Sequence, residues 1–301
     1  MVNSTNITDD DYEYEPIGYD RIFLEVFTLV GLLSVAANFF IVFVVLKYKK
    51  LREDATNLIF LHVNILQAAF LLGTPLTTRV MMMLTHVTSV HGAVFCALYQ
   101  IEISVMFAAT WFLFLMVCDW YIKLYHKETY VKFCRFYKFG VAAVYVLALF
   151  TTSITVQLCF QHYMFVITYI VMVASVALFV LFLIVMNILH AVKKRRITVA
   201  RSGTYGLAIT NIFFLLWFPS VILIIVTIKV VVNTPLFFIC LLPLGFSTPI
   251  FNLIYLYNFD DNYNVFLKQV FKCRCNKYSN ETLEDQPVSY NDVNGVQISQ
   301  N

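Results

Sequence analysis

Apolar residues in this chain do not alternate with polar ones over short periods; they run in blocks too long to be one face of a soluble helix. Seven blocks stand out, at roughly 22–46, 56–80, 97–122, 137–158, 163–192, 204–230 and 234–257, with short polar connections between them. About 20 mostly apolar residues in a helix cross the hydrocarbon core of a bilayer, and each block meets that length. The predicted fold is all-α: a polytopic membrane protein with a seven-transmembrane helix bundle over 22–258. After it, Asp260 and Asp261 read as a helix cap and a first-turn acid. Val265, Phe266, Val270 and Phe271 are expected on one face of the helix that follows, with Lys268 and Lys272 elsewhere. Residues 259–275 thus read as a short amphipathic eighth helix lying on lipid, and 276–301 as a polar, disordered tail.

Composition supports the class. The 301 residues are 60% hydrophobic and 13% charged, with a mean hydropathy of +0.76, which no water-soluble domain matches. The blocks fill the chain, leaving no room for a large soluble catalytic domain. The opening residues lack a basic stretch followed by an apolar core, so no cleavable signal is expected and the first span carries insertion itself.

Charge then sets an orientation. Lys47, Lys49, Lys50 and Arg52 follow span one, and Lys123, Lys127, Lys132, Arg135 and Lys138 follow span three. Lys193, Lys194, Arg195, Arg196 and Arg201 follow span five; Lys268, Lys272, Arg274 and Lys277 follow span seven. Of the 21 basic residues only Arg21, Arg79 and Lys229 fall elsewhere. Basic connections stay cytoplasmic, so the expectation is a multi-pass plasma-membrane protein with its N-terminus outside and its C-terminus in the cytoplasm. The net charge of +3 is this bias, with no nucleic-acid partner implied.

The same topology sorts the cysteines and the head. Cys96 and Cys159 face the oxidising exterior, where a disulfide would pin span three to the second outer loop; two unpaired thiols are the alternative. Cys273 and Cys275 lie just past the last span, as palmitoylation sites do. In residues 1–21, Asn3 and Asn6 head glycosylation sequons. Tyr12, Tyr14 and Tyr19 sit among acids, an anionic strip suited either to steering a basic ligand or merely to staying solvated.

Other membrane functions fit poorly. A retinal pump needs a lysine in 234–257, which holds none; no internal repeat of the transporter kind is seen. Apart from Glu25, Asp119 and His190 near the block ends, only His62 and Glu102 of the usual catalytic residues lie in apolar runs, so no enzyme is expected. A polar network of Asn38, His62, Asn64 and Gln67 is expected in preference to any metal site, and no cofactor is expected.

Seven spans, a cysteine opening span three and an amphipathic eighth helix together resemble class A (rhodopsin-like) G protein-coupled receptors, and the motifs can be followed span by span. Asn38 in SVAANFFIVFVVL matches the polar residue of helix one. TNLIFLHVNILQAAFLLGTP resembles chemokine-receptor helix two, with Pro75 at the bend and Gln67 where the family has Asp. VCDWYIKLYH matches the Asp-Arg-Tyr motif with Asp119 and Tyr121 kept and Trp120 in place of Arg. LWFPS matches Cys-Trp-x-Pro, giving Trp217 beneath the pocket and Pro219 as the kink. FNLIY matches Asn-Pro-x-x-Tyr, keeping Tyr255, with Phe251 for Asn and Asn252 for Pro. The acidic tyrosine-bearing head and compact length are most similar to chemokine receptors, and the drift from the host pattern resembles the chemokine-receptor homologues encoded by herpesviruses and poxviruses. The head lacks the family's cysteine, the loop before Cys159 is short, and helix three is one residue short between Cys96 and Asp119.

The resemblance implies a heterotrimeric G protein as partner, a chemokine or other basic peptide or protein as ligand, and arrestin or endocytic adaptors. Tyr12, Tyr14, Tyr19, Arg79, Glu102 and Trp217 are the implied ligand contacts, although Glu102 and Arg79 are equally read as a structural ion pair. Asp119, Trp120, Tyr121, Trp217, Pro219 and Tyr255 are the implied activation switch. Gln67, Ala109 and Phe251 stand at the family's sodium site and make a poor set for a hard cation. With Arg replaced, Asp119 is expected to lose its resting-state partner, favouring ligand-independent signalling. The G protein also loses an arginine contact, which favours a scavenger that binds and internalises ligand without signalling. Trp120 is read either as an interfacial anchor or as a G-protein contact.

Overall fold

Backbone N–H and C=O groups in hydrocarbon find no water, so a chain of apolar blocks satisfies them within helices. The computed structural model describes residues 18–84, 91–158, 164–194, 205–229 and 243–271, all helix or short connections and no strand among them. In chain order the helices are α1 (Gly18–Lys47), α2 (Lys49–Arg52), α3 (Ala55–Leu84), α4 (His91–Tyr125), α5 (Lys127–Leu158), α6 (Met164–Lys194), α7 (Tyr205–Lys229), α8 (Thr248–Phe259) and α9 (Asp261–Phe271). Five contain segments long and apolar enough to cross a membrane: Glu25–Lys47, Ala55–Gly73, Cys96–Tyr125, Tyr137–Gln157 and Val173–Lys193; Tyr205–Ser220 is a shorter apolar helix. The protein is therefore an all-α chain with several membrane-spanning helices.

Helices overrun the apolar blocks, because hydrogen bonding does not stop where hydropathy does. The connection expected after span three is helical except at His126, whose N–H still bonds the Ile122 carbonyl at 2.8 Å. At the start of α3, an Asp54 oxygen accepts from the Thr56 N–H, as a capping residue does. In α8, Pro249 has no N–H to give the Gly245 carbonyl; the Thr248 hydroxyl donates to it instead at 2.6 Å, which lets the helix restart there.

Helix α4 is the centre. It packs most extensively against α3 and α5, while α3 also packs against α1. Phe112, Leu113, Met116 and Val117 of α4 are fully enclosed with Ile41 and Val44 of α1, and with Ile59, Phe60 and Val63 of α3. By contrast α5 and α6 turn Phe139, Leu149, Leu178 and Leu181 outward, a surface that suits lipid.

Helix α9 follows the cap that the sequence foresees: Asp260 accepts from the Tyr263 N–H at 2.9 Å. Its apolar face is set differently from expectation. Tyr263, Phe266 and Leu267 are buried, Val270 is packed against them and Val265 is exposed. The sequence set placed Val265 with Phe266, yet Val265 falls outside the i, i+3, i+4, i+7 stripe that begins at Tyr263. The seam runs 263, 266, 267, 270, and Phe266 packs on Tyr48 at 4.3 Å between ring centroids, docking α9 on the α1–α2 junction.

Candidate functional site

At the end of the bundle marked by Lys123 of α4, Lys193 of α6 and Lys268 of α9, a set of interhelical side-chain hydrogen bonds gathers residues of α3, α4, α6, α7 and α9, and the Asp-Trp-Tyr triplet lies in their midst. Asp119 is 1% exposed. Its carboxyl accepts from the Thr56 hydroxyl of α3 at 2.5 Å, so Asp119 is not left unpartnered: a hydroxyl on a neighbouring helix bonds it. One turn later Lys123 reaches Asp54 at 2.7 Å. That pair is partly exposed and is worth at most about 1 kcal/mol.

Trp120 is only 3% exposed, enclosed by protein and not set at a lipid-facing surface as an interfacial anchor would be. Its ring meets His190 of α6 edge-on at 5.3 Å and Tyr125 at 6.2 Å. Gly206 of α7 makes this possible, since a Cβ there would lie 3.1 Å from the Trp120 Cβ. The indole thus fills the space where α4, α6 and α7 meet.

Tyr121 and Tyr125 look toward α6. The Lys193 ammonium sits over both rings, at 4.7 and 4.9 Å, and donates to His126 Nε2 at 3.2 Å. Tyr125 and His190 share a hydrogen bond of 2.7 Å. Deeper in, Asn187 of α6 and Asn211 of α7 exchange amide hydrogen bonds, both 3.0 Å, a pairing suited to joining helices in lipid.

A second convergence adjoins the first. The Asn57 side-chain oxygen accepts from the Tyr205 hydroxyl of α7 at 2.7 Å and from the Tyr263 hydroxyl of α9 at 2.9 Å. An amide oxygen has two lone pairs, and the two phenols use both. Burial, and after it nearby Asp260, pushes the Tyr263 hydroxyl well above the ordinary tyrosine range, keeping it a neutral donor. Asp260 itself is pushed up to about 6 by burial, against the hydrogen bonds it accepts from the backbone of Tyr263 and Asn262. None of Asp54, Thr56, Asn57, Tyr205 and Tyr263 was marked by the sequence. The available signal was Thr56-Asn57 at the polar edge of a span, a weak one without the helices around it.

The other expected residues are placed as follows. Trp217 is half-buried, edge-on to Phe246 at 5.5 Å and Phe70 at 5.9 Å. A Cβ on Gly245 would come within 2.9 Å of its ring. Around it the packing leaves about 10 Å³, lined by Gln67, Met106, Trp217 and Thr248 among others, far below the several hundred Å³ of a ligand pocket. Pro219 lies inside α7, and Tyr255 stacks on Phe259 at 5.3 Å. Glu102 borders Gly73 of α3, whose Cβ position is 3.7 Å from its Oε1. Gln67 and Ala109 are buried as expected of an interior site, but Phe251 is 45% exposed while Asn252 is 1% exposed. The register of α8 turns Asn252 inward, correcting the set.

His62 does not join Asn38 and Gln67: it shares a 2.9 Å hydrogen bond with Tyr145 of α5 and stacks on Phe112. Asn64 donates to the Phe60 carbonyl of its own helix. Cys96 is disulfide-bonded, and its expected partner Cys159 lies outside the described residues. So do Asn3, Asn6, Tyr12, Tyr14, Cys273 and Cys275; Tyr19 and Arg79 fall within α1 and α3 with side chains outside that set. No protein-family model matches the chain, and no curated protein matches it.

Proposed function

We propose that the chain is a rhodopsin-like, chemokine-receptor-like seven-helix receptor that signals through a heterotrimeric G protein. In this reading it lies in the plasma membrane with its N-terminus outside and its basic end in the cytoplasm. Five apolar spans, the shorter Tyr205–Ser220 helix and α8 followed by α9 supply the elements such a bundle needs, and the Lys and Arg distribution supplies the orientation.

One observation carries the reading. The Asp-Trp-Tyr triplet sits where α3, α4, α6 and α7 meet at the basic end, with Asp119 bonded to Thr56 and Trp120 against His190 and Gly206. A receptor transmits by parting its helices at such a meeting point, so that a surface for the partner opens. Basal signalling is then the fraction of time these contacts are open without ligand. Burial of Trp120 favours a second reading, capture and internalisation of a chemokine without signalling, since the position where the resembled motif carries arginine holds an enclosed indole and offers no cation to a G protein.

The test is G-protein activation in cells expressing the chain without ligand, beside Trp120→Arg, with uptake of labelled chemokines measured in parallel. Basal signal above that of cells lacking the chain, altered by Trp120→Arg, is the expected result. Uptake without signal selects the second reading; neither signal nor uptake overturns both.

A further inference from the structure

Neighbouring residues on a helix point about 100° apart, and at the start of α3 this sends two adjacent side chains to different partners. Thr56 faces α4 and donates to Asp119. Asn57 faces α7 and α9 and accepts from Tyr205 and Tyr263. All of these residues are buried, so water does not compete for the bonds. Tyr205 is the first residue of α7, and Tyr263 lies in the first turn of α9. Each bond therefore holds the end of a helix, where a small displacement separates donor from acceptor.

We infer that Asn57 is a positioning residue: a single amide oxygen clasps the basic ends of α7 and α9 to α3, and its release is what lets the two ends move. The clasp acts alongside Trp120, which fills the α4–α6–α7 junction. Neither phenol has another hydrogen-bond partner among the described residues, and the oxygen has no third lone pair, so each helix is held by its own bond through a shared acceptor. That geometry makes a specific forecast. Removing one phenol frees one helix, while removing the acceptor frees both. The consequence for signalling rests on the receptor reading above; the clasp itself does not.

The experiment is amide hydrogen exchange of the full-length protein in lipid nanodiscs, read over 205–214 and 261–270, for the parent, Tyr205→Phe, Tyr263→Phe and Asn57→Ala, with basal G-protein activation measured on the same variants. The phenylalanine variants keep the rings and lose only the hydroxyls. Tyr205→Phe should speed exchange in 205–214 about fivefold, the scale of one lost hydrogen bond, and leave 261–270 at the parent rate. Tyr263→Phe should do the reverse, and Asn57→Ala should speed both. Basal signal should rise with Tyr205→Phe and Asn57→Ala. Unchanged exchange in Asn57→Ala, or both segments loosening together in each single-tyrosine variant, overturns the clasp. The forecast exchange pattern without any G-protein signal keeps the clasp and removes the receptor reading.

Discussion

Two layers of polar side chains are buried at different depths of this bundle. At the basic end, Thr56 bonds Asp119, and Asn57 bonds Tyr205 and Tyr263, each across helices. In the middle, Ser34, Asn38, Gln67 and Asn252 are buried as deeply. Yet the Ser34 hydroxyl, both amide atoms of Asn38 and Gln67, and the Asn252 carbonyl oxygen have no hydrogen-bond partner within the described protein. The residue types are alike, so burial and polarity do not distinguish the layers; convergence does. In the basic-end layer a deletion strands a partner, whereas in the middle layer it strands none.

The largest expected effect follows from that asymmetry. Thr56→Val keeps the shape and removes the donor to Asp119, leaving a buried carboxyl without its hydroxyl. The expected loss is about 2–3 kcal/mol, read as a lower thermal unfolding midpoint in detergent. A midpoint equal to the parent's would mean that Asp119 does not depend on α3.

Next is Gly206→Ala, which pushes a methyl against the Trp120 Cβ at 3.1 Å. Both atoms are held by backbone, so overpacking of about 1–2 kcal/mol is expected, together with a changed Trp120 emission. An unaltered spectrum and midpoint would show that α7 can shift away freely.

Asp260, beside Tyr263 at the start of α9, has one oxygen on the Tyr263 N–H and the other without a hydrogen-bond partner among the described residues. Its folded-state value of about 6 lies above the usual 3.8, so the folded protein holds the proton more tightly than the unfolded chain. Stability is then greatest below about pH 4, falls as pH rises toward 6 and is flat above it. Asp260→Asn should abolish that slope in midpoints measured across pH; a slope that persists assigns it to another group.

The smallest effect belongs to the middle layer. Gln67→Met removes an amide that bonds nothing in the described protein, and a change within about 0.5 kcal/mol, or slight stabilisation, is expected. A loss comparable to that of Thr56→Val would erase the contrast between the layers.

Much of the fold was legible in the sequence. Block lengths gave the five long apolar helices, the Lys and Arg pattern picked out one end of the bundle, and Asp260 read correctly as a cap. The site was legible only as positions along the chain. Asp119, Trp120 and Tyr121 were singled out by resemblance alone. Nothing in their neighbours announces Thr56, 63 residues away from Asp119, or Tyr263, 206 residues away from Asn57. Such partners come together by packing alone.

The sequence by itself determined that the chain is helical and spans a membrane, because apolar length and backbone hydrogen bonding leave a chain in lipid few choices. It could not determine which way each helix is turned. Lipid tails are as apolar as leucine, so hydropathy reads the same for a side chain facing lipid and one facing another helix. A one-residue change of azimuth exchanges Phe251 for Asn252, or Val265 for Phe266. Only the tertiary structure, by fitting α4 among α3, α6 and α7, decided that Trp120 turns inward and that Asp119 finds a hydroxyl in place of an arginine.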